Sequence, residues 1–60
     1  MIFIDFLGNK LDVYSEVIFS IGNGKLKIGR IYKVVNEEYC LIKTKEVLKR
    51  PFHRTSVCKA

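Results

Sequence analysis

The chain has 60 residues, 48% of them hydrophobic and 28% charged, with 11 Lys+Arg against 6 Asp+Glu and a formal net charge of +5. That length allows one domain near the lower size limit for folding on a hydrophobic core, and such a core contributes only ~3–5 kcal/mol. The composition excludes a disordered chain, and the size favours a binding module over an enzyme with a strained pocket.

The basic charge is unevenly placed. Up to Gly24 the net charge is −2, from Lys10 against Asp5, Asp12 and Glu16; from Lys25 onward it is +7. A local field of that kind favours phosphates or an acidic protein surface, although lysines also keep exposed strands from pairing edge to edge. Nothing at the N-terminus resembles a secretory signal, since the first seven residues lack a basic flank and carry Asp5 inside a short apolar run. No segment approaches the ~20 apolar residues of a membrane span. The expectation is a cytoplasmic, reduced protein without cofactor or metal, in which Cys40 and Cys58 act as small hydrophobes. His53 and Cys58 are a poor pair of metal ligands.

Ile2, Ile4 and Phe6 alternate with Phe3 and Asp5, which predicts a short strand apolar on both faces near its start. Gly8-Asn9 breaks it, and residues 10–14 read as an irregular connector from which Leu11 and Val13 reach back to the core. From Ser15 the alternation resumes, with Val17, Phe19 and Ile21 on one face and Glu16, Ile18 and Ser20 on the other. Gly22-Asn23-Gly24 then predicts a tight hairpin, because Asn and Gly both tolerate the positive φ of a type I′ turn.

On the return strand Leu26 and Ile28 are expected inward, with Lys25 and Lys27 outward. Ile31 follows Ile28 by three residues instead of two, so Gly29 reads as a bulge or sharp bend at a phase slip. Such a bend lets one long strand serve both sheets of a small barrel. Beyond it Ile31, Lys33 and Val35 share one side and Arg30, Tyr32 and Val34 the other, and the pattern leaves open which side is core.

Asn36-Glu37-Glu38 is a polar turn, and residues 39–44 form the next strand, with Cys40 and Ile42 opposite in facing to Tyr39 and Leu41. Thr44-Lys45-Glu46 turns the chain again. Val47-Leu48-Lys49-Arg50 reads as a brief strand ended by Pro51, residues 53–56 fit a single 3₁₀ turn, and Val57-Cys58-Lys59 a last short strand. Together these elements predict an all-β fold over residues 1–60: one small SH3-like barrel of five or six short antiparallel strands with a 3₁₀ turn near the C-terminus.

The run Glu16-Val-Ile-Phe-Ser-Ile-Gly-Asn-Gly-Lys-Leu-Lys-Ile-Gly-Arg-Ile-Tyr-Lys-Val resembles the first hairpin of Tudor and KOW-type SH3-like domains. There a strand turns at small residues and returns as small-x-x-Gly-x-Ile/Val, a pattern that Lys25 to Ile31 fit. The whole chain is also similar to very short SH3-like proteins carried by large tailed bacteriophages. The resemblance implies binding and not catalysis. KOW-type relatives bind RNA or the transcription and translation machinery; Tudor-type relatives bind peptides, some through an aromatic cage. A phage protein of this kind would act in the host cytoplasm by occupying a host or defence protein. The chain has no Trp and no dense aromatic cluster, so it departs from the cage pattern.

Lys25, Lys27, Arg30, Lys33, Lys43 and Arg50 are the candidates for a phosphate-binding strand face, with Tyr32, Tyr39 and Phe52 as stacking surfaces. Phe52 and Arg54 lie in a dense basic-aromatic loop and are residue types that anchor interfaces; alternatively Phe52 plugs one end of the barrel. His53 is the only histidine and no nucleophile, paired carboxylate or phosphate loop accompanies it, which argues against an enzyme. The apolar N-terminal strand could pair two copies of the chain. The expected function is a non-enzymatic basic module contacting nucleic acid or a nucleic-acid-handling complex. The alternative is a phage-encoded modulator that binds a host protein.

Overall fold

The computed structural model describes residues 1–60. It contains β1 (Phe3–Ile4), β2 (Lys10–Leu11), β3 (Glu16–Ser20), β4 (Leu26–Val34), β5 (Tyr39–Lys43), β6 (Phe52–His53), a 3₁₀ turn (Arg54–Ser56) and β7 (Val57–Lys59). β1 and β2 form a two-stranded ladder, and the other five strands form one sheet in the order β6-β5-β4-β3-β7. Every pairing is antiparallel. The expected all-β class, with a 3₁₀ turn ahead of the last strand, is the one adopted.

The hairpin between β3 and β4 follows from its turn residues. Lys25 N–H donates to the Gly22 carbonyl at 3.0 Å, and the two residues between them, Asn23 and Gly24, have φ of 54° and 70°. Two consecutive positive φ values are what a type I′ turn requires, and Asn-Gly supplies them at little cost.

Register decides which side of β4 is core. Val17 lies opposite Gly29, Ile18 opposite Ile28 and Ser20 opposite Leu26. Val17 and Phe19 are fully buried, so Gly29 and Ile31 take the inner face, and Leu26 and Ile28 take the outer one. The expectation that Leu26 and Ile28 face inward is therefore corrected: they are 68% and 62% exposed. Lys27, opposite Phe19, shares the inner register and stays exposed nonetheless, because β5 ends at Lys43, opposite Arg30.

Gly29 is also not the bulge. The β3–β4 ladder runs through it without interruption, and the shift in register falls between Ile31 and Lys33 on the β5 side. That irregularity lets Ile31 and then Val34, three residues on, both face the core, so neither of the two alternating sets is inner throughout. Gly29 instead allows close approach. A Cβ there would lie 2.8 Å from Ile42 Cγ2, 2.8 Å from the Lys43 carbonyl oxygen and 3.1 Å from Phe19 Cε1.

The core comprises Phe3, Leu11, Val17, Phe19, Ile31, Cys40, Ile42, Phe52 and Val57. Phe19 and Phe52 meet edge to face at 5.1 Å, a favourable geometry for their opposed quadrupoles. Leu11 reaches the core as expected, whereas Val13 stays at the surface. No strand forms over residues 47–50. Val47 makes a single bridge to Lys43, and the strand begins after Pro51, whose missing N–H costs nothing at a strand entry.

The N-terminal segment is tied across the sheet. Ile4 N–H donates to the Glu37 carbonyl at 3.0 Å and Phe6 N–H to Val57 at 2.8 Å. Asp5 is fully buried, and its carboxylate accepts four hydrogen bonds: from Leu7 N–H (3.0 Å), Asn9 N–H (2.7 Å), Asn9 Nδ2 (2.9 Å) and Lys59 N–H (2.8 Å). Burial pulls its pKa upward; the bonds from Asn9, Lys59 and Leu7 outweigh that and hold the carboxyl below its ordinary 3.8. Arg54 closes the same corner, its Nε donating to the Ile4 carbonyl and its Nη2 to that of Asp5.

Candidate functional site: a basic groove beside the long strand

Because β5 ends opposite Arg30, the first residues of β4 have a neighbour on the β3 side only. The chain leaves β5 through a turn in which Thr44 N–H donates to the Glu46 carbonyl, and Leu48 N–H then bonds the Ile42 carbonyl. An open groove of about 1160 Å³ results. β4 contributes Lys27, Ile28 and Arg30 to its lining, and the end of β5 with the turn after it contributes Lys43, Lys45 and Val47. Tyr14 and Tyr32 also line it, as do the carboxylate residues Glu16 and Glu46.

Four of the residues singled out from the sequence come together here: Lys27, Arg30, Tyr32 and Lys43. Their settings differ. Lys27 and Lys43 are exposed and engaged in no ion pair with a carboxylate. Arg30 donates from Nη1 to the Tyr14 carbonyl at 2.9 Å and lies 3.9 Å from Glu16, so part of its donor capacity is used internally. Tyr32 sits at the register shift and is half-buried, with its hydroxyl donating to the Leu48 carbonyl at 3.1 Å.

The other candidates, Tyr39 among them, lie outside the groove. Lys25 belongs to the hairpin turn, and Lys33 lies beyond the register shift, opposite Leu41. Arg50 covers the Phe52 ring at 4.4 Å, a cation–π contact. Phe52 itself is core, so its ring is not available to a ligand. Arg54 is half-buried and holds backbone carbonyls, which makes it a structural residue.

Tyr14 is the groove residue that the alternation did not reveal. It occupies the third position of a turn closed by Ser15 N–H on the Asp12 carbonyl, with φ of 74°. A type II turn normally places glycine there, and a bulky residue in that region costs ~1–3 kcal/mol. Its backbone is clamped on both sides, N–H donating to Ile31 at 2.7 Å and carbonyl accepting from Arg30. The side chain is 76% exposed. Nothing in Asp12-Val13-Tyr14-Ser15 marked the turn in the sequence, because the stretch carries neither the Gly nor the Asn that such a turn usually shows.

No three His, Cys, Asp or Glu side chains come together as a metal set. His53 caps the 3₁₀ turn, its Nδ1 accepting from Thr55 N–H, and its Nε2 lies 3.4 Å from Glu38. Cys40 and Cys58 are free; burial pushes the Cys40 thiol up to about 12, so it remains protonated and unreactive in the folded chain.

Fold and groove define a small all-β domain with a basic, tyrosine-bearing cleft, in which no helix is long and apolar enough to cross a membrane. The chain belongs to the family described as a domain of unknown function, DUF7205, whose model matches residues 3–59. No curated protein and no solved structure matches it.

Proposed function

We propose that this protein is a non-catalytic module of SH3-like type that contacts nucleic acid through the groove beside β4. The observation that carries the reading is the convergence of Lys27, Arg30, Lys43 and Lys45 on one cleft with two tyrosines. Cations that neutralise phosphates supply affinity, and aromatic faces supply stacking for unpaired bases. Glu16 and Glu46 also line the groove and repel a phosphate, which leaves its contacts to the basic residues. Fluorescence anisotropy with a labelled 12-nucleotide oligo(U) strand tests the reading. Binding at low ionic strength that weakens steadily with salt supports it; no anisotropy change at any low-salt concentration refutes it.

A protein partner is a second reading, favoured by a different feature. The Asp5 carboxylate fixes the turn at residues 5–9 while Phe6 and Leu7 stand 59% and 68% exposed on it. An apolar pair on a rigid turn is suited to a pocket on a host protein. A nuclease-treated pull-down with the parent and a Phe6→Asp variant distinguishes the two. A stoichiometric protein captured only by the parent supports this reading, and equal recovery by both contradicts it.

A further inference from the structure

Tyr14 combines three features that a merely structural residue has no reason to combine. Its backbone is in the left-handed region, where glycine would be unstrained. The surrounding chain enforces that conformation, through Ile31 on one side and the Arg30 guanidinium on the other. The side chain this displays packs little against the protein, being the most exposed aromatic side chain and lining the groove. Strain persists where surrounding structure over-determines it, and it collects at binding and catalytic sites. The fold gains nothing evident from a tyrosine here that glycine would not give.

From this we infer that Tyr14 is a base-stacking platform and that the groove takes single-stranded, not duplex, nucleic acid. The inference rests on the nucleic-acid reading of the groove. An unpaired base offers a π-face to the displayed ring, whereas in a duplex both faces of an interior base are already occupied by its neighbours. The lysines that line the same groove, Lys27, Lys43 and Lys45, then hold phosphates of the strand. Arg30 acts as a positioning residue, since its Nη1 holds the carbonyl of the residue that stacks. An acidic polypeptide would use the same cations and would have no need of the ring.

The test uses the full chain, the labelled 12-nucleotide oligo(U) strand, a 12-base-pair duplex and poly-L-glutamate at one low ionic strength. The parent is expected to bind the strand more tightly than the duplex or the polypeptide. Tyr14→Gly is expected to lose roughly tenfold or more in affinity for the strand. Its thermal midpoint should be no lower than the parent's, because a strained backbone is relieved. Tyr14→Phe should keep the parent's affinity, since the ring is retained. Tyr14→Gly binding the strand as tightly as the parent would overturn the inference while leaving the groove reading intact. Equal or tighter binding of the duplex would overturn it as well. If the parent binds no oligonucleotide, the groove reading itself fails; if poly-L-glutamate binds best, the partner is an acidic protein.

Discussion

Asp5 and Gly29 show how much of this small fold hangs on single side chains. The Asp5 carboxylate has no cation on it and satisfies four N–H donors, from Leu7, from the backbone and side chain of Asn9, and from Lys59. Asp5→Asn replaces one acceptor oxygen with a donor and leaves buried N–H groups unpaired, at a cost of ~1–3 kcal/mol. For a domain of this size each kcal/mol lowers the thermal midpoint by roughly 4–8 °C, which a melting curve resolves. The pH dependence has a definite sign. A folded-state pKa held below 3.8 contributes stability that is complete above the unfolded-state value and is lost as pH falls through the folded one. The parent's advantage over Asp5→Asn is thus constant near neutrality and narrows below about pH 4. Gly29→Ala tests close packing in the same way. The added methyl meets a backbone carbonyl, Lys43 O, which cannot rotate away, so the variant is expected to lose ~1–3 kcal/mol in denaturant unfolding.

At the scale of elements, the parts legible in the sequence are those in which turn chemistry and alternation agree. Gly22-Asn23-Gly24 specified its hairpin through positive φ, and Val17 and Phe19 on β3 showed their buried face by period-2 spacing; on β5 the same spacing grouped Cys40 with Ile42, and burial makes that pair the inner one. The 3₁₀ turn and β7 were readable for the same reason. β4 was not, and the cause is physical. Its inner position opposite Val17 is Gly29, which carries no side chain, so the apolar signal on that face disappears where the packing is tightest. Leu26 and Ile28, alternating with lysines, then imitate a core-facing pattern on the outer face. The register shift near Tyr32 depends on pairing with β5, a contact between distant residues that no local window contains. In the site, Lys27, Arg30, Tyr32 and Lys43 were legible as charge and aromatic content on strands. Tyr14 reaches the groove only because a turn delivers it, and Phe52 and Arg54 were claimed by the fold itself.

At the scale of the whole molecule, the charge asymmetry of the chain becomes a local feature of the surface. The net +7 carried from Lys25 onward is not spread evenly: Arg50 and Arg54 are committed to the protein, while Lys27, Lys43 and Lys45 line one cleft. The role proposed for this cleft is to neutralise phosphates. The most direct measurement is the salt dependence of oligo(U) binding for the parent and for a Lys27→Ala/Lys43→Ala/Lys45→Ala variant. Three engaged lysines give a slope of log K against log salt of about −2 for a single strand, and removing them brings it close to zero. A parent slope near zero, or a variant whose slope and affinity equal the parent's, would contradict the account.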